Sequence, residues 1–144
     1  MVNKSEALEF LQQHQPMPDD ENITQDLIDK YDSARRYFIS DPDEKAIMLF
    51  LRSFGNGDGL GVYQLVEDFF YKCRKSDVVE SLKIVLEDEH VSDGVRYWCT
   101  QSAAAFADES LRLGISISKK SNNEDIRDAA DLALSILDDD SMDG

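Results

Sequence analysis

The sequence predicts an all-α protein built of antiparallel helix pairs, and three observations predict it. Apolar residues recur at helical spacing in one segment after another from about residue 24 onward. The breaks between segments carry helix-start residues, and comparable segments return at a nearly constant interval. At 144 residues the chain fits one domain, long enough to bury roughly two-thirds of its unfolded surface without disulfides or a structural metal. A hydrophobic content of 42% with seven Phe supplies a core despite the high charge. The expected organisation is a single helical domain over 1–138, with 1–22 loosely packed and an acidic disordered tail over 139–144.

The elements follow in order. Ile23, Leu27, Tyr31, Ala34 and Phe38 form a first apolar stripe, and Ile47, Phe50, Leu51 and Phe54 a second. "SDPDE" at 40–44 offers Ser40 or Asp41 as N-cap with Pro42 in the first turn, where its missing N–H is no loss. Val62, Leu65, Val66, Phe69, Phe70 and Cys73 predict a helix over 61–74. Val78, Val79, Leu82, Val85 and Leu86 follow, capped by Ser76 or Asp77; then Val95, Trp98, Cys99, Ser102 and Phe106, capped by Ser92. "LRLGISIS" at 111–118 alternates as a strand would and contains Gly114, but a lone strand has no partner for its backbone groups, so it is read as helix. The last stripe is Ile126, Ala129, Ala130, Ala133 and Leu137, capped by Asn122 or Asn123. Val62, Val95 and Ile126 open comparable helices 33 and 31 residues apart, the rhythm of a paired-helix solenoid; a compact helical bundle with short connections gives the same spacing.

Charge excludes several classes of function. A formal net charge of −15 repels phosphate backbones and anionic membrane surfaces, and no basic stripe relieves it, so neither direct nucleic-acid binding nor membrane binding is expected. A basic protein partner would be steered in quickly. The N-terminus lacks the apolar core of a signal peptide and no apolar run approaches a membrane span, so the expected location is the cytoplasm. Cys73 and Cys99 both fall on apolar helical faces and read as reduced, buried small hydrophobes.

"FGNGDGLGVYQLVEDFF" at 54–70 places a glycine at every second position from Gly55 to Gly61. A dinucleotide fingerprint needs a different glycine spacing after a strand, and a P-loop needs Lys and Ser or Thr where Val62 and Tyr63 stand. Counting Asn56 as position 1 of a calcium loop puts Asp58 at 3, Gly61 at 6 and Glu67 at 12, but Leu60 supplies no oxygen at 5. What remains is an interhelical turn in which glycine permits positive φ and close approach, or a partner-facing loop. Catalysis has little to stand on: His14 and His90 read as surface residues, and no Ser or Cys nucleophile has a recognisable setting. No catalytic residue, cofactor or metal ligand is assigned.

The acids cluster instead. Several lie at helix starts, where the helix dipole accounts for them, but Glu87, Asp88 and Glu89 lie at a helix end, where acids are unfavourable and a basic partner is one reason for them. The pairs "EKAIMLFLRSF"/"GVYQLVEDFFYKC" and "DVVESLKIVLEDE"/"GVRYWCTQSAAAFA", in a short acidic chain, resemble small HEAT- or armadillo-like helical proteins. Among these the chain is similar to bacterial immunity proteins that neutralise toxins of contact-dependent growth inhibition. The resemblance spans about residues 24–138. It implies a monomer that forms a one-to-one complex with a cognate basic toxin, many such toxins being nucleases. Asp41, Asp43, Glu44, Asp58, Glu87, Asp88 and Glu89 are the candidate contact residues. Two other readings stand beside it: an acidic adaptor for an endogenous protein or peptide, and an enzyme with a pocket of convergent carboxylates.

Overall fold

A computed structural model describes residues 3–143, with side chains described through residue 139. Eight α-helices make up the described chain: α1 (Lys4–Gln12), α2 (Gln25–Ser40), α3 (Lys45–Leu51), α4 (Glu67–Phe70), α5 (Lys75–Leu86), α6 (Asp93–Ala105), α7 (Arg112–Lys119) and α8 (Glu124–Asp143). Short 3-10 turns, Tyr63–Val66 and Glu109–Leu111, lead into α4 and α7. Among the described residues there is no strand, and the all-α expectation holds.

The helices pack in two rows. Odd-numbered helices touch in succession, α1 on α3, α3 on α5 and α5 on α7, while α2 meets α4 and α6 meets α8. The gap between α4 and α6 is closed by Phe70 and Phe106, whose ring centroids lie 6.3 Å apart. Side-chain contacts fix the direction of the odd row. Lys4 at the start of α1 reaches Asp43 just before α3 at 3.4 Å, Gln15 beyond the end of α1 donates to the Leu49 carbonyl near the end of α3, and Arg52 at the end of α3 pairs with Asp88 beyond the end of α5. The odd helices therefore run parallel, and the loops after their C-termini gather at one end of the molecule with the starts of the even helices. Val62, Val95 and Ile126, expected to open repeating units, all fall at the starts of even-row segments.

The core changes character along the stack. Tyr31, Phe38, Phe50, Tyr63, Phe69 and Phe70 are buried together where α2, α3 and α4 meet, with edge-on contacts such as Tyr31–Phe50 and Phe38–Phe50. From α5 to α8 smaller residues take over, Val78, Leu82, Ile115, Ala130 and Ala133 among them. Burying the Tyr31 hydroxyl is compensated by the Ser53 Oγ at 2.7 Å.

Several local expectations change. The segment over 61–74 is one 3-10 turn and one α turn, because Gly61 at φ +90 precedes it and Arg74, in extended conformation, already starts α5. Neither Ser40 nor Asp41 caps α3: α2 runs through Ser40, and Asp43 Oδ1 instead accepts the Lys45 N–H. Ser76 and Asp77 lie inside the first turn of α5, whereas Ser92 and Asn123 accept the predicted amides of Val95 and Ile126. The N-terminal segment is not loose within the described residues: Ala7, Leu11 and Met17 are fully buried. In the segment expected as a tail, the backbone continues α8 through Asp143. "LRLGISIS" is helical, with Leu111, Gly114, Ile115 and Ser118 turned inward and Leu113 exposed. Its glycine lets α7 cross α5, since a Cβ there would stand 2.5 Å from that of Leu86.

Candidate functional site

The glycine loop reverses the chain, and its backbone explains how. Gly57, Gly59, Leu60 and Gly61 all have positive φ, a run that turns successive N–H groups toward one point and makes an anion-binding concavity. The anion is the protein's own. Asp20 accepts the Asp58 N–H on Oδ2 and the Gly59 N–H on Oδ1, both at 3.0 Å, and Asn56 Nδ2 donates to Asp19. On the other side the Gly94 N–H donates to Asn56 Oδ1 at 2.8 Å, and Trp98 Nε1 donates to the Gly57 carbonyl at 2.9 Å. The loop is thus strapped between the N-terminal segment and the first turns of α6.

This strapping leaves a groove beside it. Trp98 is half-buried; Phe54 and Tyr63 contact it from the core and Tyr97 stands edge-on to it at 5.0 Å. A hollow of 420 Å³ is lined by Tyr97, Trp98, Asp58, Asp93, Asn123 and Asp125. A second, of 270 Å³, shares Tyr97 and Trp98 and extends past Gln64, Glu67 and Gln101. No Lys or Arg lines either one. Asp93 and Asp125 sit in the first turns of α6 and α8, the common place for acidic side chains on a helix. Among the described residues, the carboxylates of Asp58, Asp93 and Asp125 have no hydrogen bond or ion pair, in contrast to most of the acids singled out from sequence.

Those seven acids do not form one surface. Asp41, Asp43 and Glu44 lie at the end of the molecule where the odd helices start, and Asp41 and Asp43 both pair with Lys4. Asp58, Glu87, Asp88 and Glu89 lie at the opposite end. Glu87 pairs with Lys83, and Asp88 with Arg52. Hydrogen bonds from the Lys45 and His90 backbone hold the Asp43 and Asp88 carboxyls below the usual carboxylate range. The acidic end of α5 also has an internal reason: Arg96, reaching from α6, donates to the Leu86 and Asp88 carbonyls at 3.0 and 2.8 Å. A buried guanidinium supplies the cation that the helix C-terminus calls for. Of the seven, only Asp58 faces the groove, and sequence reasoning missed Asp93, Asp125, Tyr97 and Trp98 as its companions. The signal available for the two aspartates was their place at capped helix starts, which many acids in this chain share.

The residues weighed for chemistry have structural surroundings. His14 stacks on Phe10 and bonds the Phe10 carbonyl through Nδ1, and His90 is exposed. Burial pushes the Cys99 thiol well above its ordinary range and that of Cys73 up to about 11, against thiolate formation at neutral pH. Among the described residues, no three His, Cys, Asp or Glu side chains gather as a metal-holding group, and no helix is long and apolar enough to cross a membrane.

Fold and site together define a strongly acidic, all-helical domain of stacked pairs, with an aromatic groove at the end where the even helices begin. Comparison of the chain with protein-family models, with curated proteins and with solved structures gives no match.

Proposed function

We propose that this chain is a binding protein that captures and neutralises a basic protein, of the kind a nuclease toxin presents, by laying its acidic groove end against the partner's nucleic-acid-binding cleft. The observation that carries the reading is the pairing of an accessible aromatic shelf, Tyr97 and Trp98, with three lining carboxylates that make no hydrogen bond or ion pair among the described residues. Protein interfaces place aromatic anchors at their centre and polar groups at the rim. The net charge of −15 supplies long-range attraction, and complementary charge accelerates encounter more than it deepens affinity. The resemblance to immunity proteins gives the partner class; the groove gives the contact surface.

The test is to purify the chain with the basic protein encoded beside it, follow protection of cells expressing that protein, and measure the association rate from about 50 to about 200 mM salt, where screening of exposed charges becomes strong. The expected results are a one-to-one complex, protection, and an association rate that falls steeply with salt. The rate should drop further when Asp58, Asp93 and Asp125 are replaced by Asn. Protection by an association indifferent to salt and to these three residues would refute acid-steered docking.

A further inference from the structure

We infer that the Trp98 groove is an arginine-reading pocket, one that receives a guanidinium of the partner rather than a lysine, a metal ion or an apolar side chain. The inference rests on the reading of the chain as a binder of basic protein and names the chemical group its groove selects.

The argument begins with what the groove can donate and accept. Trp98 Nε1–H is spent on the Gly57 carbonyl, so the indole offers the groove only its ring. The Tyr97 hydroxyl accepts from Gln101 Nε2 and keeps its own proton to donate, and Asn123, whose Oδ1 accepts the Ile126 N–H, adds its amide NH2 to the lining. Asp58, Asp93 and Asp125 present acceptors alone, and no Lys or Arg side chain reaches the lining. Three carboxylates and two aromatic rings with no cation among them are complementary to a positively charged side chain that carries only donors, and Lys and Arg are the charged residues of that kind. The three carboxylates do not gather as a metal-holding group, so a compact divalent ion finds no coordination shell.

Between the two cations the geometry favours arginine. Guanidinium is planar, more weakly hydrated than ammonium, and stacks on an aromatic face while its in-plane N–H groups reach outward to separated acceptors. Carboxylates contributed by the glycine loop, α6 and α8 stand around the aromatic pair, an arrangement that serves several diverging donors better than one ammonium. The indole that would carry the stack is fixed in advance by its bond to Gly57, so little ordering accompanies binding.

Trp98 is the single tryptophan of the chain, so its fluorescence reports on this groove alone. The full chain is titrated with hexa-arginine and with hexa-lysine peptides at low salt. A saturable change in Trp98 emission is expected with hexa-arginine, at least tenfold tighter than with hexa-lysine. The variant Asp58→Asn/Asp93→Asn/Asp125→Asn should weaken hexa-arginine binding at least tenfold. The variant Asp41→Asn/Asp43→Asn/Glu44→Gln removes the same formal charge at the opposite end and should leave binding within about twofold, since exposed charges separated by more than a Debye length are largely screened. Thermal melts of both variants establish that each is folded. Equal affinity for the two peptides, equal weakening by the two variants, or an emission that never moves would each overturn the inference. A chain that neutralises its protein partner while Trp98 ignores hexa-arginine would lose this inference and keep the proposed function. One that reads hexa-arginine as expected but protects against no basic protein would keep the inference and lose the function.

Discussion

Replacing Gly94 by Ala tests whether the groove depends on close backbone contact between the glycine loop and α6. A Cβ at Gly94 would lie 2.2 Å from the Gly55 carbonyl oxygen, 2.4 Å from its carbon and 2.8 Å from the Asn56 nitrogen. All three are backbone atoms, so no rotamer change relieves the clash, and the loop must retreat by about 1 Å to reach ordinary contact distance. Such a shift stretches the Gly94–Asn56 and Trp98–Gly57 hydrogen bonds, now 2.8 and 2.9 Å, past useful length. Overpacking costs about 1–3 kcal/mol, and each lost hydrogen bond about 1 kcal/mol. Better helix propensity returns just under 1 kcal/mol, roughly. The net loss is about 2–4 kcal/mol, a fall in melting temperature of about 6–12 °C for a chain of this size. Gly61→Ala is the control: its φ is +90 but nothing lies within 4 Å of the added Cβ, so only left-handed strain of about 1–2 kcal/mol is expected. Circular-dichroism melts measure both, and native Trp98 emission should shift in Gly94→Ala and not in Gly61→Ala. If Gly94→Ala proves no more costly than Gly61→Ala, or leaves the emission where it was, the loop is not held as described.

Arg96→Met should cost about 2–4 kcal/mol in urea unfolding, because the Leu86 and Asp88 carbonyls and Ser118 Oγ lose their donor; Arg96→Lys should recover only part, since an ammonium cannot span the three acceptors. Leu60→Gly should stabilise the chain by about 1 kcal/mol, since the leucine is held at φ 53 with half its surface exposed, and the strain relieved outweighs the greater unfolded freedom of glycine; a lower melting temperature would contradict this. Stability should also fall at alkaline pH. Burial raises the Cys73 thiol from 9.0 to about 11 and the Tyr63 hydroxyl from 10.0 to about 12. Folding therefore favours their protonated forms, and that contribution is complete below pH 9.0 and is lost as pH rises through the folded values. Urea midpoints from about pH 8 to about pH 11 should decline, and less so in Cys73→Ser.

The helices were legible wherever one apolar stripe meets one neighbour. In the α6 stripe of Val95, Trp98, Cys99, Ser102 and Phe106 with its Ser92 cap, local spacing places every residue but Trp98, which is only partly buried, in the core. What escaped was set by residues far apart in sequence. Asp20 fills the loop's concavity from 38 and 39 positions away, so a loop that lacks a phosphate-binding motif still presents amides to an oxyanion. Arg96 reads as one more polar residue on a helix until the end of α5 is seen beside it. The start of α1 carried a usable signal: Asn3 Oδ1 accepts the Glu6 N–H, and its Nδ2 donates to the Glu6 carboxylate, the spacing of a capping box. The apolar stripe behind it, Ala7 and Leu11, is short and adjoins a proline-containing stretch, so periodicity alone does not mark the helix.

Acid content by itself does not find the site in a chain with thirty carboxylates; the partner each acid already has is the better guide. Asp41, Asp43, Glu87 and Asp88 are matched to Lys4, Lys83 and Arg52, so engaging them would first break a contact the fold possesses. Asp19 and Asp20 are spent on holding the glycine loop. Other acids, Glu44 and Glu89 among them, also lack a partner among the described residues, but Asp58, Asp93 and Asp125 line the hollow beside Trp98, brought together because the loop, α6 and α8 all start or turn at the same end of the stack. The loop that presents Asp58 also fixes the indole of Trp98, so the charge and the aromatic surface are positioned by one structure. A partner meeting them pays little for ordering the groove, and its binding energy is left for the contacts themselves.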